Sequence, residues 1–173
     1  MGAEFHQWLL HIRQPEYVHV LLNPLPIYGS ALGAFGLLVG LLARSRGAQG
    51  ISFLLIILVC LSAWPVAEFG ESGYDRVLAM SNADGQEWLK LHAHRAGNLL
   101  FIFYVTAAAA AASLLAMRYR PAKLKLLAII TLVLAIASAI AAASIGDAGG
   151  QIRHTEFRDG PPPANLRIHD EQK

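Results

Sequence analysis

The sequence has little charge and almost no cysteine. Its single cysteine, Cys60, excludes an intramolecular disulfide. Charged residues make up only 15% of the 173-residue chain, whereas hydrophobic residues make up 55%. The net charge of +2 offers no strongly basic surface for nucleic acid. These absences exclude a disulfide scaffold and argue against a nucleic-acid-binding protein.

Charge is missing above all from four long apolar runs. Three of them contain no charged residue, and the fourth contains only Lys125, in its first turn. Each has about the 17 to 25 residues that a helix needs to cross a bilayer, and none shows the polar stripe of a soluble bundle helix. The sequence therefore predicts an all-α integral membrane protein, a bundle of four transmembrane helices. The runs are Leu21–Ala43, Ile51–Ala67, Ala96–Met117 and Leu124–Gly146.

Two short loops between these runs contain cations but no acidic residue. Basic residues concentrate next to helix ends on the cytoplasmic side of a membrane. We therefore expect both loops to be cytoplasmic, and both chain termini to lie on the periplasmic side of a bacterial inner (cytoplasmic) membrane. The cations are Arg44 and Arg46 in the first loop, and Arg118, Arg120, Lys123 and Lys125 in the second.

The chain divides into three predicted regions. Residues 1–18 form an N-terminal segment whose apolar and aromatic residues, Trp8 and Leu9 among them, suit a short helix in the membrane interface. Residues 19–157 form the four-helix transmembrane domain. Residues 158–173 form a polar, partly disordered periplasmic tail.

The histidines are sorted to one side of the predicted membrane. None of the seven histidines and none of the twelve acidic residues lies in a basic loop. His19 precedes the first span, His94 begins the third and His154 follows the fourth. Because these helix ends open on the same predicted face, the three side chains are candidate ligands of one cofactor or metal ion.

His92 and His94 are predicted to point in different directions. Residues two apart on a regular helix point about 200° from each other, so only one of them faces the bundle. Asn98 lies one turn after His94, and a polar group inside a membrane usually faces protein rather than lipid. We expect His94 to face inward, with Asn98 supporting it, and His92 to face outward.

Three short motifs contain histidines at helix ends. They are HVLLNPLP at His19–Pro26, His94-Arg95, and GDAGGQIRH at Gly146–His154. Together they resemble the bacterial four-helix membrane family catalogued as domain of unknown function 2231. The resemblance implies four spans and draws attention to three histidines, His19, His94 and His154. That family brings no established activity with it.

A b-type haem is the first function that these histidines predict. Two neutral imidazoles from different helices serve as axial ligands of such a haem, and the best pair is His94 with His19 or His154. The protein would then transfer electrons, from a membrane quinol to a periplasmic redox partner.

A non-haem ion, Zn, Cu or Fe, is the second prediction. Histidine nitrogen and carboxylate oxygen are ligands that these ions take. The candidate ligands are His19, His94, His154, Glu68 and Asp147, with Glu71 and Glu156 as further carboxylates.

The third prediction is an accessory membrane subunit without a cofactor. Its partners would be membrane lipid together with a larger membrane complex or a second copy of the chain. Glycines spaced four, three and four residues apart in the first span suit either close packing within the bundle or such a homo-oligomer. They are Gly29, Gly33, Gly36 and Gly40. Sequence alone leaves the three functions open.

Overall fold

The computed structural model describes residues 2–160, with side chains from residue 4. This part of the chain is helical and contains no strand. The helices are α1 (Gly2–His11), α2 (Pro15–Leu22), α3 (Pro24–Leu42), α4 (Arg46–Leu61), α5 (Ala63–Met80), α6 (Ala83–Tyr119) and α7 (Pro121–Arg153), followed by a 3₁₀ turn, Thr155–Phe157.

Four helical stretches are long and apolar enough to cross a membrane. They are Pro15–Leu42, Arg46–Met80, Ala83–Tyr119 and Pro121–Arg153. The predicted all-α architecture with four such helices is confirmed. The first two stretches each contain a break, whereas α6 and α7 run without interruption.

Prolines explain both breaks. The first lies at Asn23, before Pro24 and Pro26, and the second at Ser62, three residues before Pro65. A proline has no N–H for the helical hydrogen bond, and its ring clashes with the carbonyl four residues earlier. The regular helix is therefore interrupted within one turn before these prolines.

Close packing holds the bundle together. An ideal Cβ at Gly33 would lie 2.7 Å from Ile56 Cγ1, so α3 approaches α4 as only glycine permits. The predicted glycine face thus packs inside the chain. Between α6 and α7, hydroxyl pairs join the helices across the core. These pairs are Thr106 with Ser138, 2.8 Å apart, and Ser113 with Thr131, 2.9 Å apart.

Beyond the apolar runs, α6 and α7 continue together into a small cap. Trp88 and Leu89 of α6 pack with Ala148 and Ile152 of α7 in a second apolar cluster. Arg158 donates to the Ile152 carbonyl at 3.0 Å and so satisfies the end of α7.

The first region boundary predicted from sequence lies within a helix, and hydrogen bonds cross the second. The predicted boundary between residues 18 and 19 falls inside α2. Arg158, the first residue of the predicted tail, is bonded to the end of α7. Residues 161–173, the rest of that tail, lie outside the described residues.

Candidate functional site

Two histidines from different spans face each other at one end of the bundle. The ring centres of His19, on α2, and His92, on α6, lie 5.8 Å apart with their planes at 89°. His19 is partly buried, and His92 is only 9% exposed. The structure thus pairs the first of the four long apolar stretches with the third.

Both imidazoles are fixed through the same ring nitrogen. Nδ1 of His19 donates to the Val66 carbonyl at 2.7 Å, and Nδ1 of His92 donates to the Ile145 carbonyl at 2.9 Å. Because a carbonyl can only accept, Nδ1 carries the proton, and Nε2 of the neutral ring keeps a lone pair. Neither Nε2 has a hydrogen bond from residues 4–160. Histidines that bind metals are typically oriented in this way.

A glycine makes room for each ring. Gly70 follows Val66 by one turn, and Gly149 follows Ile145 by one turn. An ideal Cβ would lie 2.8 Å from His19 Nδ1 at the first glycine and 3.0 Å from His92 Nδ1 at the second. The missing side chains therefore let each imidazole reach a helix carbonyl. The same arrangement, a glycine one turn after the accepting carbonyl, occurs twice, on α5 and on α7.

The two rings border a small cavity of about 50 Å³. A water molecule occupies about 30 Å³ in the liquid, so the space suits an ion with a small ligand. Of the thirteen lining residues, three carry polar side chains: His19, His92 and Asn23. The others are Pro26, Ile27, Ala63, Val66, Ala67, Ala96, Leu100, Phe103, Ala142 and Ile145.

Arg95 fastens α6 to α7 beside this cavity. Its Nη1 donates to the Ser144 carbonyl at 2.6 Å and lies 3.4 Å from Asp147 Oδ2. His92 and Arg95 thus bond two consecutive carbonyls of α7, those of Ile145 and Ser144. The charged hydrogen bond and the nearby carboxylate hold the frame in which the His92 ring sits.

The orientation predicted for His92 and His94 is wrong. His92 is buried, whereas His94 and Asn98 are exposed. The Asn98 amide donates to His94 Nε2 at 2.9 Å, so the two polar groups satisfy each other on the outer surface and need no inward partner. Spacing in multiples of seven residues indicates the buried face of α6. His92 lies fourteen residues before Thr106 and twenty-one before Ser113, whose hydroxyls are buried.

The other predicted ligands lie apart from the His19–His92 pair. His154 is exposed, and its Nδ1 lies 2.9 Å from Glu156 Oε1. The backbone N–H of Glu156, together with the His154 ring, holds the pKa of this carboxyl below its usual range. Glu68 is exposed, and Asp147 bonds Arg95 and Gln151. Among the described residues, no three His, Cys, Asp or Glu side chains come close enough together to hold a metal ion.

Comparisons of the chain with protein-family models, curated proteins and solved structures find no match. The resemblance to domain of unknown function 2231 stays a prediction. Its first motif, His19–Pro26, spans the break between α2 and α3, and its last, Gly146–His154, contains the glycine beside His92. Two of the three motifs thus contribute a residue to the site.

Proposed function

We propose that the protein is a multi-pass protein of the bacterial inner membrane that binds one transition-metal ion between His19 and His92. The observation that carries this proposal is the pair of imidazoles fixed through Nδ1, each with an unpaired Nε2, beside one cavity. Ligand histidines keep Nε2 free and bond Nδ1 to a carbonyl or carboxylate, because this fixes the tautomer and the ring orientation.

The separation of the rings fits two ligands of one ion. Metal–nitrogen bonds to histidine are about 2.0 to 2.1 Å, which places an ion about 3 Å from each ring centre. Two ligands of one ion then have centres about 5 to 6 Å apart. The observed separation of 5.8 Å lies in this range. Imidazole suits Zn, Cu, Fe and Ni, so the candidate ions belong to this group.

We place the site on the periplasmic side of the membrane. His19 and His92 lie at the ends of the first and third apolar runs that are remote from the basic loops, and cationic loops favour the cytoplasm. A reporter that is active only in the periplasm, fused after Lys173, should therefore be active. The same reporter inserted between Arg46 and Gly47 should be inactive, and the reverse pattern would contradict this orientation.

The metal content of the purified protein tests the proposal. Protein extracted from bacterial membranes in detergent should contain about one equivalent of a transition metal, measured by mass spectrometry of the elements. His92→Ala should lose the metal, whereas His94→Ala, which removes an exposed imidazole, should keep it. If the metal is absent from the native protein and cannot be added back, the metal function is wrong and the accessory role is favoured.

A b-type haem between the same two histidines is the second candidate. The two facing imidazoles come from different helices, as the histidine ligands of a haem iron do, and their ring centres lie 5.8 Å apart. The cavity of about 50 Å³ is too small for the macrocycle, so the walls would have to part. The protein would then transfer electrons from a quinol. A Soret band that shifts on reduction and is absent from His92→Ala would replace the single ion by haem.

A further inference from the structure

We infer that Asn23 is the third donor of the His19–His92 site and determines which ions bind there; this inference rests on the metal function proposed above. Asn23 follows His19 by four residues, which places the two side chains on the same face one turn apart. It lies at the break between α2 and α3 and, among the described residues, is the only other polar one that lines the cavity.

The amide of Asn23 is not used to cap a helix. Asparagine at an N-cap usually accepts a hydrogen bond from the backbone N–H two or three residues later. Asn23 stands at the N-cap of α3 but makes no such bond. Pro26, three residues later, has no N–H, and the backbone of Asn23 is helical (φ −53°, ψ −34°) rather than extended as a capping residue requires.

The Asn23 side chain also has no other structural role among the described residues. It makes no hydrogen bond with any residue between 4 and 160, although the residue is partly buried. The amide therefore neither caps a helix nor bonds a neighbour, and it borders the same cavity as the two imidazoles. It is available to bind the same ion. Its Oδ1 is the atom with the lone pairs that a cation needs.

The donor set predicts the class of ion. The donors would be two imidazole nitrogens and one amide oxygen. Zinc accepts nitrogen and oxygen ligands, with one position left open for water or a small ligand. Monovalent copper prefers soft sulfur ligands over a carbonyl-type oxygen. Asn23 therefore favours a divalent ion such as Zn²⁺ over Cu⁺.

Titration of the full-length protein with Zn²⁺, Co²⁺ and Cu⁺ tests this inference. Asn23→Leu has a similar size but no donor and should weaken Zn²⁺ binding by about 10-fold or more, with little change for Cu⁺. It should also change the visible spectrum of bound Co²⁺, which reports the ligands of the ion. Asn23→Met supplies a thioether and should shift the preference toward Cu⁺.

The outcomes separate this inference from the proposed function. If Asn23→Leu and Asn23→Met bind Zn²⁺ as the wild type does, with the same Co²⁺ spectrum, Asn23 is not a ligand although the histidine site stands. If the wild type binds none of the three ions, both proposals are overturned. The elution volume and helical circular dichroism of each variant verify its fold; if Asn23→Leu misfolds, the Zn²⁺ to Cu⁺ preference of Asn23→Met decides.

Discussion

The two halves of the chain hold their histidines in the same way but on different supports. In the first half, His19 of α2 bonds the Val66 carbonyl of α5, beside Gly70. In the second half, His92 of α6 bonds the Ile145 carbonyl of α7. Both helices of the first pair are separated from their spans by breaks at the level of the site, whereas α6 and α7 are continuous through it.

This difference assigns different mechanical roles to the two histidines. The hydroxyl pairs in the core and the Arg95 bond to Ser144 connect α6 to α7 along their length. The α2–α5 pair has an ion pair between Glu16 and Arg76 but is joined to α3 and α4 through the breaks. Breaks at helix ends are where domain and helix movements concentrate. We therefore expect His92 to be the fixed ligand and His19 the ligand that moves.

Removing the two imidazoles should have the largest effect and should distinguish the halves. Both His92→Ala and His19→Ala should abolish metal binding. His92→Ala should also destabilise the fold by about 2 to 4 kcal/mol, because it leaves a cavity between continuous helices. The cost of His19→Ala should be about 1 kcal/mol, because the ring is partly exposed and α2 can relax. Thermal unfolding in detergent, with metal removed, measures both; equal losses would contradict the comparison.

Adding one methyl group beside each ring should have the next largest effect. Gly149→Ala places a Cβ 3.0 Å from the His92 ring, which the bond to the Ile145 carbonyl holds in place, and overpacking of this kind costs about 1 to 3 kcal/mol. Gly70→Ala places a Cβ 2.8 Å from the His19 ring, but α2 can shift away. It should weaken metal binding and leave thermal stability nearly unchanged.

Gly97→Ala is the matched control for these glycine variants. Gly97 lies on α6, and a Cβ there meets no atom within 4 Å. Because alanine is the better helix former, by roughly 1 kcal/mol, this change should not lower stability. If Gly70→Ala unfolds at as low a temperature as Gly149→Ala, the first half is as rigid as the second.

Hydrogen exchange should reveal the same difference without a mutation. Backbone amides open locally where helices are broken or weakly supported. In the metal-free protein, amides of α2 and of α5 between Ala63 and Gly73 should exchange several-fold faster than those of α6 and α7 at the level of the cavity. Added metal should slow exchange mainly in α2 and α5. Uniform exchange in all four helices would contradict the expectation that α2 and α5, which hold His19, are more mobile than α6 and α7.

Much of the fold, but only one of the two facing histidines, could be predicted from the sequence. The charge-poor runs predicted the four helices, because a bilayer crossing imposes a length and a composition that are visible locally. His19 was singled out because of its position before the first span. His92 is not predicted, because Asn98 indicates an inward face of α6 that contains His94, whereas Asn98 and His94 satisfy each other outside.

The carbonyl partners of the rings could not be predicted at all. They lie 47 residues from His19 and 53 residues from His92. Their carbonyls also accept the ordinary bonds of their own helices, so the residue types of Val66 and Ile145 carry no signal. Only Gly70 and Gly149 mark the positions, and a glycine in an apolar helix has many other reasons to be there.

Substitution of Arg76 or Arg95, each of which bonds a neighbouring helix, should have the smallest effect and should test the difference between the halves most finely. Arg76 pairs with Glu16 at 2.9 Å; the Arg76 side chain is 56% exposed, whereas that of Glu16 is 18% exposed. Because the cation is open to solvent, the pair contributes about 1 kcal/mol, and its Coulomb attraction weakens as salt increases. Arg95 is 27% exposed and donates to the Ser144 carbonyl at 2.6 Å, and a charged hydrogen bond is worth about 1.5 to 3 kcal/mol.

Arg95→Gln should therefore lower the unfolding temperature more than Arg76→Gln at every salt concentration. The effect of Arg76→Gln should shrink in high salt, because salt screens the Coulomb attraction to Glu16 that this substitution removes. Thermal unfolding of both variants in low and high salt measures this difference. A larger loss from Arg76→Gln would show that the ion pair between α2 and α5 makes the first half a rigid support, and His19 would then be held as firmly as His92.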